Sequence, residues 1–497
     1  MKLRLLLTWL CLLALPTQAM ADLWMPAIFG DHMVLQAEKE AAVWGKADPG
    51  QTVVLSIAGQ RVAAATDDDG RWFARLPVID RHGPHTLTIQ AGSDRREFED
   101  VLIGEVWLCS GQSNMDWRMH RMPEGEVEAA DHPQIRLFRV ERNASFEPVE
   151  DVEGQWEICT PESVEDFSAA AYYMGHDVHE HLGRPVGLIH TAYGGTTAEV
   201  WTRREVLEAN PILMPLVERH ERSWSAYHDA LARWQADPST RKPTEPQERR
   251  IVSGLWNAMV APIVPYTIRG FAWYQGESNV WRARQYYTLL SEMIIDWRTQ
   301  WGDMQLPFGV VQLPNYVDPP RVPPGEGSLV ELRESQLRVA ESLPNTGLIV
   351  TIDIGDPTDI HPVNKWTVGE RLALWAFDEV YGEEINGQAP VFWEVNFDTG
   401  SNEVELKFAN AGSGLTTSDG GPVRGFVIAD ESMRFRWAKA RIEGDVVYVS
   451  EARVADPKAV RYAWDENPSW ANLVSGDGLP VSPFRTDAWP GVTDDAR

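Results

Sequence analysis

Five short apolar runs, at residues 101–108, 187–191, 270–274, 308–312 and 347–352, recur through the middle of the chain. Helix-patterned segments at 168–182, 284–301 and 364–380 lie between or after them. The runs are apolar almost throughout, so they have no polar face to offer to water. Such strands must be covered on both sides, and strand–helix alternation supplies the cover through crossover helices. The middle of the sequence therefore predicts an α/β unit with a parallel sheet between two helical layers.

In a sheet of this kind, ligands gather beyond the carboxyl ends of the strands, so the residues after each run are where chemistry is expected. Ser113 follows the first run in Gly111-Gln112-Ser113-Asn114, and Gly194-Gly195 follow the second. Gln275-Gly276-Glu277-Ser278-Asn279 come directly after Trp273-Tyr274 at the end of the third, and Asp356, Asp359 and His361 follow the last. A serine becomes a nucleophile only when a base takes its proton and donors hold the oxyanion that forms. His361 is the candidate base, because imidazole titrates near neutral pH. Asp359, or Asp356, is placed to orient the imidazole. Candidate oxyanion donors are the Ser113 backbone N–H, the Gly194 or Gly195 N–H and the Gln275 side chain. Gln112, Asn114, Glu199, Trp201, Trp273, Glu277 and Asn279 flank these groups and are candidates for substrate contact.

Each signal has an ordinary structural explanation when taken alone. A serine after a strand is commonly a turn residue or helix cap, and a glycine pair is commonly a turn. Glu277 also suits the start of a helix, where the dipole favours a carboxylate. Ser278 is a rival nucleophile. Neither serine fits G-x-S-x-G, because Met115 and Val280 stand where the final glycine would be, which argues against a nucleophile elbow. The order of the four clusters, each after its own strand, carries more information than any one of them.

Taken together, Gly104-Glu105-Val106-Trp107 through Gly111-Gln112-Ser113-Asn114-Met115, Tyr193-Gly194-Gly195-Thr196, Trp273-Tyr274-Gln275-Gly276-Glu277-Ser278-Asn279 and Asp359-Ile360-His361-Pro362 resemble the sialate O-acetylesterase family of SGNH hydrolases. The resemblance implies a flavodoxin-like three-layer SGNH hydrolase core with flanking β-sandwich domains and a metal-free acyl-enzyme mechanism. It also implies acetylated sugars as substrates, with Ser113 as nucleophile, His361 as base and a glycine of the Gly194-Gly195 pair as oxyanion donor. Two departures stand out. SGNH enzymes commonly place the acid three residues before the histidine, where this chain has Thr358, so Asp359 is the expected acid, with Asp356 or a backbone carbonyl as alternatives. The third block usually supplies an asparagine to the oxyanion hole, and Gln275 is the expected substitute.

The remaining text divides around this core. Residues 1–21 read as a secretory signal peptide: Lys2 and Arg4, an apolar stretch too short to span a bilayer, then Ala19-Met20-Ala21. A periplasmic or secreted protein is expected, with no further membrane span. Residues 22–100 form short β-like runs separated by turns, which predicts a β-sandwich domain. The catalytic domain is expected at 101–380, with a polar, charge-rich helical insertion at about 203–250, and a second β-rich domain at 381–497.

Composition narrows the partners. Asp and Glu number 73 against 45 Lys and Arg, which argues against nucleic acid or an anionic membrane as partner. No C-x-x-C or H-E-x-x-H pattern occurs, so no cofactor or metal is called for. After the signal, Cys109 and Cys159 remain, too few for a disulfide framework, although a single bridge is open to them. The 22 tryptophans suit both a large core and a glycan-binding cleft. The expected function is an exported carbohydrate O-acetylesterase acting on plant-wall glycans such as xylan or xyloglucan, or on O-acetyl sialic acid. A carbohydrate-binding protein with an inactive hydrolase core is the alternative.

Overall fold

A computed structural model of the protein describes residues 23–400 and 402–497. The expected signal peptide at 1–21 lies outside the described residues. Among these residues, no helix is long and apolar enough to cross a membrane.

The central sheet contains six parallel strands: β1 (Asp94–Gly111), β2 (His132–Arg139), β3 (Val186–Ala192), β4 (Gly270–Tyr274), β5 (Phe308–Val311) and β6 (Thr346–Ile349). Their spatial order is β6-β5-β4-β1-β3-β2, and Trp156–Cys159 adds an antiparallel edge beside β2. β2 has no counterpart in the apolar runs of the sequence, because its first residues are polar and solvent-facing. β1 is much longer than the expected run from 101. Its polar first part pairs antiparallel with His85–Ala91, and only from Val101 onward is it fully buried in the central sheet. The apolar signal therefore marked where the strand enters the core, not where it begins.

Register fixes the two faces. Trp107 of β1 lies beside Gly270 of β4, and Leu108 beside Phe271, so Trp107 and Phe271 point to opposite sides. Trp107 meets Trp375 of helix α5 (Trp366–Trp375) at 6.1 Å between ring centroids. Phe271 and Trp273 meet Trp297 of helix α3 (Ala283–Trp301) at 5.5 and 5.8 Å. Helix α1 (Ala169–Leu182), capped by the Ser168 hydroxyl on the Ala171 N–H, packs with α5. Helix α4 (Ser328–Ser342) packs with α3. The sheet is thus sandwiched between two helical layers. The predicted insertion contains helix α2 (Met214–Ala236), which is mostly exposed.

Small antiparallel sheets lie on either side in sequence. Before β1, Ala41–Lys46 pairs with Arg71–Leu76, and Thr52–Ile57 pairs with Gln60–Ala65 and His85–Ala91. Their inward residues, including Val53, Leu55 and Ile89, join the same continuous core as the central sheet. After α5, Val404, Leu406, Phe426, Ile428, Val447 and Val449 build a second apolar core, which Val350 and Ile352 just after β6 also join. Full burial of such side chains contributes about 1.5–3 kcal/mol each, which is what holds these short strands together. Cys109 and Cys159 are both free and buried, so no bridge joins them. Burial pushes both thiols up to about 12, which leaves them protonated and unreactive.

Candidate active site

The polar clusters after β1, β3, β4 and β6 meet at one end of the sheet. β1 ends at Gly111, whose φ of +145° and close approach to the Tyr274 carbonyl leave no room for a side chain. The chain then turns and presents Ser113, half-buried, above the sheet. His361 arrives from the loop after β6, and its Nε2 lies 2.8 Å from Ser113 Oγ. On the other edge of the ring, Nδ1 lies 3.2 Å from Asp359 Oδ1, and the same oxygen accepts the His361 backbone N–H at 2.8 Å. Asp356 does not reach the ring. Its Oδ1 accepts from the Thr358 N–H, the Thr358 hydroxyl and the Asp359 N–H, which shapes the loop. Trp117 stacks on the imidazole at 5.9 Å with an interplanar angle of 22°. A hydroxyl hydrogen-bonded to an imidazole that is itself held by a carboxylate is the arrangement that activates serine for acyl transfer.

Gly194 sits against this serine: a Cβ built there would lie 3.4 Å from Ser113 Cβ. Gly195 takes a φ of +72°, the left-handed conformation that glycine adopts without steric cost. Arg249, at the end of the insertion, donates to the Gly194 carbonyl at 3.0 Å and so fixes this peptide. Asp116, mostly buried beside Gly194, pairs with Arg142. Burial raises its carboxyl, while Arg142, Arg118 and the Gly194 backbone pull it back down.

Gln275 is placed otherwise than the sequence suggested. It is fully buried, and its Nε2 already faces three acceptors: Gln112 Oε1 at 3.2 Å, the Thr196 carbonyl at 3.2 Å and Asn279 Oδ1 at 2.7 Å. Its Oε1 accepts from Tyr286, so the amide has no free proton for an oxyanion. It belongs to a buried polar lattice that ties the loops together. Gln112 Oε1 also accepts the Ser278 N–H at 3.2 Å. Asn279 accepts the Ala198 N–H at 3.0 Å and donates to Glu199, which also pairs with Arg282 at 2.8 Å. Gln112 and Asn279, expected as substrate contacts, are therefore mainly internal struts, whereas Glu199 also lines a cavity beside α2. Trp201 and Trp273 are likewise core residues with no exposed surface, stacked edge to face at 6.1 Å, and cannot touch a sugar.

Asn114 carries the second half of this lattice. Its Nδ2 donates to Glu277 at 2.5 Å and to the Ile360 carbonyl at 3.1 Å, while its Oδ1 accepts from Lys365 Nζ at 2.7 Å. Lys365 also donates to the Pro362 carbonyl at 2.6 Å. One asparagine and one lysine thus clamp the residues on both sides of His361. Burial lowers the Lys365 ammonium to about 7, against the pull of Glu277 and Asp359. Burial in turn raises Glu277 above the usual carboxylate range. Lys365, Trp117 and Arg249 were not anticipated: a lysine or arginine in sequence reads as a solvated charge, and nothing local marks Lys365 as buried, Arg249 as bonded to the Gly194 carbonyl or Trp117 as stacked on His361.

A family model for carbohydrate esterases described as sialic acid-specific acetylesterases matches residues 103–377. Sialate O-acetylesterase of Mus musculus is 29% identical over 520 residues, covering 91% of this chain and 92% of the mouse protein. Its Homo sapiens relative is 29% identical over 390 residues, covering 71% of this chain and 70% of its own. A carbohydrate acetylesterase from Xanthomonas citri, known from its crystal structure, matches with a TM-score of 0.81 at 36% identity, over 94% of this chain and 100% of that one. The matched residues contain every cluster described above, from Ser113 to Lys365. The chain belongs to the carbohydrate esterase family of sialic acid-specific acetylesterases, and it is a carboxylic ester hydrolase.

Proposed function

We propose that the protein is an exported serine O-acetylesterase that releases acetate from acetylated sugars through a Ser113–His361–Asp359 relay. The observation that carries this reading is the 2.8 Å contact from Ser113 Oγ to His361 Nε2, with Asp359 on the opposite ring nitrogen. Ser113 Oγ attacks the acetyl carbonyl as its proton passes to His361 Nε2. The oxyanion is held by the Ser113 N–H and a glycine amide of the Gly194-Gly195 pair; one such donor is typically worth about 2.7–4 kcal/mol of barrier. His361 then protonates the departing sugar oxygen, and in the second step it deprotonates the water that cleaves the acetyl-enzyme. Asp359 keeps the ring in the tautomer with Nε2 free to accept and stabilises the imidazolium.

The same reading takes residues 1–21 as the export signal and assigns the chemistry to a flavodoxin-like SGNH domain at 101–380. In it, the segments at 22–100 and 381–497 are flanking β-sandwich domains; the second apolar core supports this for 381–497, while the core of 22–100 is continuous with that of the central sheet. The substrate is a plant-wall glycan such as xylan or xyloglucan, or O-acetyl sialic acid. A cavity of about 870 Å³ between α2 and residues Gly195, Thr197 and Ser278 offers room for a sugar. Arg219, Arg250 and Arg282 line it beside Glu199 and Glu245, with Arg282 paired to Glu199 at 2.8 Å.

Acetate release from acetylated xylan, acetylated xyloglucan, O-acetyl sialic acid and 4-nitrophenyl acetate tests the proposal, each with wild type and Ser113→Ala. Activity on at least one glycan, lost more than about 10³-fold in the variant, is expected. Retention of more than a few per cent by Ser113→Ala would exclude Ser113 as nucleophile. No release from any ester would favour the carbohydrate-binding alternative.

A further inference from the structure

A second cavity, of about 370 Å³, borders the lattice built around Asn114 through Glu277 and Ile360. Trp281, Tyr316, Leu313, Leu329, Ile360 and Glu277 are among the residues that line it. Two of them connect it to the catalytic groups. Ile360 directly precedes His361, and its carbonyl is held by Asn114; Glu277 is held by the same asparagine. A ligand in this cavity therefore lies one residue away from the imidazole.

Trp281 is 76% exposed, the most exposed large hydrophobic side chain among the described residues. Six other tryptophans, including Trp107, Trp273 and Trp297, are fully buried. An indole left in water at the mouth of an apolar cavity has unsatisfied contact area, and sugar rings carry apolar C–H faces that such an aromatic can cover. The volume falls in the usual range of small-molecule sites, about 300–1,000 Å³, and exceeds what an acetyl group alone would fill. The charged residues lining the cavity are Glu277 and Glu466, with no cation among the described residues. A carboxylate-bearing sugar is therefore disfavoured here, in contrast to the cavity beside α2, where Arg219, Arg250 and Arg282 accompany Glu199 and Glu245.

We propose that this cavity is a subsite for a neutral sugar residue neighbouring the acetylated one, with Trp281 as its stacking platform. The inference rests on the esterase reading above, and it makes the enzyme one that acts on acetyl groups within an oligosaccharide. Trp281 is a specificity residue on this account, remote from the reacting atoms.

The test separates binding from turnover. Ser113→Ala and the double variant Ser113→Ala/Trp281→Ala are titrated calorimetrically with acetylated xylo-oligosaccharides and, separately, with O-acetyl sialic acid. Loss of Trp281 is expected to weaken oligosaccharide binding about tenfold and to leave sialic acid binding unchanged. In the otherwise wild-type enzyme, Trp281→Ala should raise KM for the oligosaccharide by a similar factor. It should leave 4-nitrophenyl acetate hydrolysis within twofold and Tm unchanged, and Trp281→Phe should recover most of the affinity. Equal oligosaccharide affinity with and without Trp281, or no oligosaccharide binding at all, would overturn the subsite. Failure of the wild type to hydrolyse 4-nitrophenyl acetate would count against the esterase reading instead.

Discussion

Asp359 holds the Nδ1 edge of His361 at 3.2 Å while more than half of its own side chain stands in water. A buried triad aspartate is shielded from solvent competition, and its replacement by asparagine costs roughly 10⁴-fold in turnover. Here water screens the pair. Asp359→Asn is therefore expected to lower kcat by only about 10²-fold, with KM little changed, in steady-state assays of 4-nitrophenyl acetate. A loss below threefold would show that the ring is held by something other than this carboxylate.

Lys365 gives the opposite expectation for stability and activity. Its ammonium is buried at an energetic cost, and a methionine of similar length removes that cost. It also removes the clamp on the Pro362 carbonyl and on Asn114. Lys365→Met should keep or raise Tm while kcat falls about 10- to 100-fold, because His361 loses its fixed position. The lysine's folded value of about 7 lies below its unfolded value of about 10.5, so the unfolded chain binds the extra proton between them. Stability from this group rises with pH across that window, and Lys365→Met should lack the rise. A Tm drop in proportion to the lost activity would mean the lysine is only structural.

Arg249 links the helical insertion to the Gly194 peptide. Charge-assisted hydrogen bonds of this kind are worth about 1.5–3 kcal/mol, part of which is felt at the oxyanion. Arg249→Ala should reduce kcat about tenfold on every ester tried, including 4-nitrophenyl acetate. An effect confined to large glycans would reassign Arg249 to substrate contact.

His190 sets an acid limit on the fold. It is buried on β3, packed on Phe167 at 5.5 Å, and burial pushes its imidazole down to about 3, with Arg139, Arg118 and Arg142 adding to the effect. The unfolded histidine titrates near 6.5, so between about 3 and 6.5 only the unfolded state takes up the proton. Stability is intact above about 6.5 and falls as pH drops below it, by on the order of 3 kcal/mol at pH ~4. Thermal melts from pH 7 to pH 4 should fall less steeply for His190→Leu than for wild type. Parallel slopes would show that other groups govern acid unfolding.

Much of the architecture was legible in order and pattern. The apolar run at 270–274 coincides with β4, and the helical pattern at 284–301 differs from α3 by one residue. These elements are legible because a strand buried on both faces and an amphipathic helix each impose a period that survives in one dimension. β2 and the first part of β1 were missed for the same reason in reverse: their polar residues face water, so the backbone pairing that defines them leaves no apolar trace.

The sequence by itself determined which residues gather at the end of the sheet, because topology sends every loop after a parallel strand to the same side. It also pointed to Ser113 and His361, and left Asp359, Asp356 or a backbone carbonyl open as the group that orients the ring. Tertiary structure alone decided which polar side chains face substrate and which face each other. Gln275 and Asn279 spend their amide groups on neighbouring loops, and Lys365 is drawn under His361 by Asn114, contacts between residues up to 251 positions apart. A donor's availability depends on how many acceptors already surround it in space. That is a property of packing, which sequence order does not carry.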